Sequence, residues 1–170
     1  MRRSFQTLAT FKTLATFAIS LSFASGAFAQ SGDIEGWEGL RWGPTKATVM
    51  KTLQRFHAHE CARADTSCAG AGVVIENYSF SGVPFRVLLT FGPRDALTSV
   101  SMTAEEKRDS VEKVLAQLTN RYGRGGLQSE YDGDEETLRT KWNWNKPPGT
   151  CVLESEEGSG VFTVTFAAKR

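Results

Sequence analysis

The chain has 170 residues, 40% of them hydrophobic, with 20 Lys+Arg against 19 Asp+Glu and a net charge of +1. That length suits one domain with a sizeable core, with roughly two-thirds of the unfolded chain's surface buried on folding. A near-neutral balance gives no bulk charge with which to hold nucleic acid, which excludes binding built on phosphate neutralisation.

The chain opens MRRSFQTLATFKTLATFAISLSFASGAFAQ. Arg2, Arg3 and Lys12 make a positive n-region, an apolar run follows from about Leu14 to Phe23, and Ala27-Phe28-Ala29 forms an A-x-A cleavage site. The pattern predicts a secretory signal peptide over residues 1–29 and a single domain over 30–170, periplasmic or secreted. The apolar run is too short and too rich in Ser and Thr for a membrane span, and no segment of the mature chain approaches spanning length. The cleavage site carries no cysteine for a lipid anchor. The leader holds three of the 20 basic residues and none of the 19 acidic ones, so the mature chain has a net charge of −2.

Residues 31–39, SGDIEGWEG, read as a Gly-rich approach to the first helix. Thr45 is the expected N-cap, and Val49, Met50, Leu53 and Phe56 fall on one helical face that ends near His57. Residues 58–72 are small and polar and read as a loop. Strands are expected at VVIENYSF, VPFRVLLTF and LTSVSM, divided by turns at Ser81-Gly82 and GPRDA. Phe85, Val87, Leu89 and Phe91 alternate cleanly in the second of them. Thr103 and Glu106 have capping-box spacing for a second helix, with Asp109 as a later alternative cap. Val111, Val114, Leu115, Leu118 and Tyr122 form its apolar stripe, and Gly123 sits at its left-handed C-cap position. Three strand candidates close the chain, LQSEY, TLRTKWNW, and CVLES leading to GVFTVTFAA, where Phe162, Val164 and Phe166 alternate; polar turns at DGDEE, NKPPG and EEGSG separate these segments. The expected fold is α+β, with element order αβββαβββ and two helices packed on one face of a mostly antiparallel sheet.

Leu40 to Gly43, Thr45, and the helix closing on Tyr122-Gly123 resemble motifs of small exported bacterial proteins of unassigned function. The layout is similar to the α+β modules of β-lactamase-inhibitor-protein-like and SmpA/OmlA-like envelope proteins. Pro44 stands where those often have Met, and the lipid-anchoring cysteine of SmpA/OmlA lipoproteins is absent. The resemblance implies a binding or scaffolding module and assigns no catalytic residue.

HAHECARADTSC, residues 57–68, holds both histidines and two of the three cysteines. In an exported protein a thiol pair tends to oxidise, and Cys61 and Cys68 lie seven positions apart in a closable loop. A Cys61–Cys68 disulfide is therefore expected. The alternative is a zinc site using His57, His59 and Cys61, with Glu60 or Cys68 completing the set, although the spacing matches no established zinc module. A bridge to Cys151 is a third option. Cys151 begins an apolar strand and reads as a buried thiol.

Nucleophilic catalysis needs a base held by a third group, and no G-x-S-x-G elbow occurs. Acidic runs at 132–136 and 154–157 lack the EF-hand glycine position and read as hairpin turns. RYGRGG, residues 121–126, lacks phosphate-loop spacing. In RTKWNWNK, Trp142 and Trp144 share one strand face. With Trp37 and Trp42 they are either core residues or, if exposed together, a partner surface. The expected function is that of an exported, periplasmic, non-enzymatic binding or scaffolding module without cofactor, its partner another envelope protein. A zinc-binding protein is the alternative, and a small hydrolase trails both.

Overall fold

The computed structural model describes residues 33–62, 65–68, 70–132 and 137–169. The expected leader over residues 1–29 and most of the acidic run at 132–136 lie outside the described residues. The described elements are β1 (Gly36–Trp37), β2 (Leu40–Arg41), α1 (Lys46–Thr52), β3 (His59–Glu60), β4 (Val73–Phe80), β5 (Val83–Phe91), β6 (Leu97–Glu105), α2 (Arg108–Tyr122), β7 (Gly126–Asp132), β8 (Thr137–Lys146), β9 (Gly149–Glu156) and β10 (Val161–Ala168).

This order overturns the expected α+β fold with element order αβββαβββ. The body of the protein is one eight-stranded antiparallel sheet, ordered β3-β4-β5-β6-β10-β9-β8-β7, beside a two-stranded β1–β2 hairpin. Helix α1 spans only seven residues. Three physical causes account for the difference. Glu38 and Gly39 both take positive φ, 49° and 81°, so the Gly-rich approach closes as a tight two-residue hairpin. Gly158 and Gly160 also take positive φ in the expected EEGSG turn, so CVLES and GVFTVTFAA, counted as one strand, are two, β9 and β10. Thr103, expected as a helix cap, lies instead in β6, opposite Arg86 on one side and Thr163 on the other. Pairing on both edges of β6 outweighs a local cap. Helix α2 consequently starts at Arg108, with Asp109 in its first turn and no side-chain cap on its N-terminus.

Two meanders meet at the centre of the sheet. β4-β5-β6 forms one and β7-β8-β9-β10 the other, and β6 pairs with β10 along Ser99–Glu105 and Val161–Ala167. Side chains alternate across a strand, so directly paired residues share a face. The strand register therefore defines two apolar rows across the sheet. Val73, Leu89, Val100, Phe166, Cys151 and Trp144 form one row. Ile75, Val87, Met102, Val164, Leu153, Trp142 and Leu127 form the other. Most of these residues belong to a single buried core, which also takes Val49 and Leu53, then Val114, Leu118 and Tyr122 of α2, and Trp37 and Leu40 of the hairpin.

In β4 the alternation is broken between Ile75 and Tyr78, where two residues oppose one across the ladder and Asn77 takes φ 57°. This bulge returns Tyr78 to the core face already occupied by Val73 and Ile75. The opposite face of the sheet is polar, with Ser101, Thr103, Thr163 and Thr165 at its centre. Among the described residues no helix is long and apolar enough to cross a membrane.

Candidate functional site

A cleft of about 420 Å³ opens between the β1–β2 hairpin and the last turns of α2. Its floor is apolar, from Trp37, Leu40 and Tyr122, and its rim is charged, from Asp33, Glu35, Arg41 and Arg121, with Gln117 on the helix wall. The hairpin is held in place by hydrogen bonds from the residues on either side of it. The Ile34 amide donates to the Lys146 carbonyl at 3.1 Å, and the Trp42 indole N–H donates to the Ile34 carbonyl at 2.9 Å. Gly149 permits this approach, since a Cβ there would stand 2.3 Å from the Ile34 carbonyl oxygen.

Glu38, at the hairpin tip, accepts a hydrogen bond from the Tyr78 hydroxyl at 2.7 Å and lies 3.5 Å from the Arg55 guanidinium. A non-glycine residue at positive φ carries a conformational cost, which these contacts offset. Burial, then the bond to Glu38 and its charge, push the Tyr78 phenol well above its usual range. Tyr122 is raised as well, chiefly by burial. Arg41 and Arg121 have no ion-pair partner among the described residues, although the Arg121 guanidinium lies 5.4 Å from the centre of the Tyr122 ring. The cleft thus offers two arginines and two carboxylates without side-chain partners among the described residues, above an aromatic floor.

The loop at 57–68 lies elsewhere, at the β3 end of the sheet. Cys61 and Cys68 are joined by a disulfide. His57 and His59 are exposed, and His59 sits in β3 opposite Val74. The structure does not bring His57, His59 and Cys61 together as a ligand set. Among the described residues the one close group of metal-ligating types is Cys61, Asp65 and Cys68, and its two sulfurs are bonded to each other. A bridged sulfur is not the thiolate that zinc binds. Asp65 is turned inward to this loop, its carboxyl held below the usual range first by the Ser67 hydroxyl and then by the Ser67 amide. Arg86, from the polar sheet face, donates to the Ser67 carbonyl at 2.9 Å and ties the loop down.

The tryptophans do not gather at one surface. Trp37 is 5% exposed and packs its ring 5.0 Å from that of Tyr78. Trp144 is 2% exposed and donates its indole N–H to the Gly123 carbonyl at 2.8 Å. Trp42 and Trp142 are half-buried and pack against the core. Cys151 is a free, fully enclosed thiol whose ionisation burial strongly disfavours. The acidic run at 154–157 belongs to β9 and its turn, and Glu154 pairs with Arg139 and Lys141.

Sequence reasoning did not single out Arg41, Glu38, Tyr78 or the cleft role of Arg121. The available signal was the Trp37-Glu38-Gly39-Leu40 stretch, in which a glutamate-glycine pair sits between two apolar residues, the pattern of a tight hairpin.

No protein-family model matches the sequence, and no curated protein matches it. Among solved structures the chain is similar to a DUF4309 family protein, YjgB, from Bacillus subtilis subsp. subtilis str. 168. The identity is 11% and the TM-score 0.46, over 78% of this chain and 84% of that one. The likeness is too distant to transfer any property.

Proposed function

We propose that the protein is an exported, non-enzymatic binding module whose ligand seat is the cleft between the β1–β2 hairpin and α2. The ligand class that fits is one carrying both charges beside an apolar group, such as a peptide terminus or a peptide-like envelope component. One observation carries this reading. Arg41 on the hairpin wall and Arg121 on the helix wall are left without carboxylate partners among the described residues, while Asp33 and Glu35 share the rim and Trp37 and Tyr122 supply the floor. Guanidinium groups grip carboxylates with parallel hydrogen bonds, and an aromatic floor adds apolar contact. The A-x-A leader supports delivery across the inner membrane.

The test is photo-crosslinking in the cell of origin, with a photoreactive side chain at Gln117 and, as control, at Lys51 on the exposed side of α1. Both positions are exposed. A discrete adduct from position 117 alone, lost when Arg121→Glu is added, supports the reading. Equal adducts from both positions, or one indifferent to Arg121→Glu, refutes it. Export is checked by intact mass, which should correspond to a chain beginning at Gln30.

A further inference from the structure

We propose that β7 is a pairing edge, and that its occupant is β7 of a second copy of this chain. The two edges of the sheet differ. The β3 edge is two residues long and continues into the disulfide loop. Such shortness is a common protection against unwanted pairing. The β7 edge is seven residues long, Gly126–Asp132, and among the described residues pairs only with β8. It contains no proline and no lysine, the residues that most often blunt an edge.

The core supplies the second observation. The apolar row that starts at Ile75 runs through Val87, Met102, Val164, Leu153 and Trp142 and ends at Leu127. Leu127 is 61% exposed, the most exposed large hydrophobic residue among those described, and it lies on the core face beside half-buried Trp142. The row therefore stops at the open edge with its last member in solvent. A further strand would continue it.

Symmetry and charge select the occupant and the register. Two copies joined antiparallel by a twofold axis normal to the sheet keep their core faces on one side only if some residue lies opposite itself. Centring on Ser129 engages all seven residues of each strand. It places Leu127 against Tyr131, Gln128 against Glu130 and Gly126 against Asp132, so no two acidic residues face each other. Centring on Glu130 would oppose like charges, which is destabilising. The result is one continuous antiparallel sheet of two copies.

Sedimentation of the purified protein across a concentration series tests the proposal. The expected result is a monomer–dimer equilibrium that Leu127→Lys shifts to monomer, with an unchanged melting temperature at dilutions where the wild type is itself monomeric, because Leu127 is exposed in a single copy. Directly opposed antiparallel residues lie about 4.5–5.5 Å apart at Cα, within disulfide range. Ser129→Cys should therefore form an intermolecular disulfide on mild oxidation, while Gln128→Cys, which faces Glu130, should not. Cys151 is enclosed and Cys61–Cys68 is bridged, so neither competes. Arg121→Glu should leave the dimer intact, which separates this inference from the cleft reading. A monomer at every concentration, or a dimer that ignores Leu127→Lys and does not cross-link through Ser129→Cys, would overturn it.

Discussion

Leu88 and Leu89 are chain neighbours of identical composition on opposite faces of β5, and they provide a direct test of the sheet's sidedness. Leu89 is fully enclosed, with Val73 and Val100 as its cross-strand neighbours. Leu88 is half-buried on the polar face, opposite Ser101 and Val74. Truncating an enclosed leucine to alanine loses transfer free energy and leaves a cavity, together roughly 2.7–5.0 kcal/mol. Leu89→Ala should therefore cost about 3–4 kcal/mol, and Leu88→Ala about 1 kcal/mol or less. With a urea slope of about 2 kcal/mol per M, the Leu89→Ala midpoint should fall by roughly 1.5–2 M. The Leu88→Ala midpoint should fall by about a quarter of that. Urea melts followed by tryptophan fluorescence measure both. Equal losses at the two positions, or less than about 1 kcal/mol at Leu89, would refute the assignment of the core face.

Non-reducing peptide mapping should recover Cys61 and Cys68 as one linked species, and replacing both by serine should lower stability by about 2.5 kcal/mol in the chain-entropy model. Cys151 should resist alkylation until the protein is unfolded, since burial disfavours its thiolate. Tyr78 and Tyr122 should ionise later than a free phenol in an absorbance titration. Their folded values are raised above the unfolded value of about 10, so the linked stability is complete below that pH and falls as pH rises past it. Glu38→Gln removes the charge that opposes ionisation of Tyr78 and should move its phenolate signal to lower pH. Gly149→Ala sets a methyl against the Ile34 carbonyl and should lower the melting temperature, at a cost of about 1–3 kcal/mol.

The strands of this fold were the most legible part of the sequence. The period-two alternation at Phe85, Val87 and Leu89 and at Phe162, Val164 and Phe166 describes the buried faces of β5 and β10 as they stand. VVIENYSF was harder, because Val73 and Ile75 oppose Tyr78 and Phe80 in parity, and only the bulge at Asn77 reconciles them. The first helix shows the reverse error. Val49 and Leu53 have helical spacing and are both enclosed, yet regular α-helix ends at Thr52, and the chain continues as a short 3-10 turn over Gln54–Phe56. The αβββαβββ order failed because CVLES and GVFTVTFAA, counted together as one strand although EEGSG reads as a turn between them, are two full strands, and because the Gly-rich entry forms a hairpin. The cleft was invisible because Arg41 and Arg121 are 80 positions apart and have no motif in common. Their proximity follows from the hairpin folding against α2, which local periodicity does not encode.

The central β6–β10 seam has a consequence for biosynthesis. Each meander is built from neighbouring hairpins, but the strand joining them is the last described strand of the chain, and α2 with three strands intervenes before it arrives. Such distant pairing is slow to form compared with local contacts. A nascent chain that has not yet delivered residues 161–168 therefore presents two bare edges, β6 and β9, along the middle of its future sheet. Vectorial emergence from the N-terminus makes this half-zipped state obligatory rather than incidental. A holding chaperone would find its natural substrate there, and truncation of β10 alone would leave a chain of two separate meanders prone to pairing with other molecules.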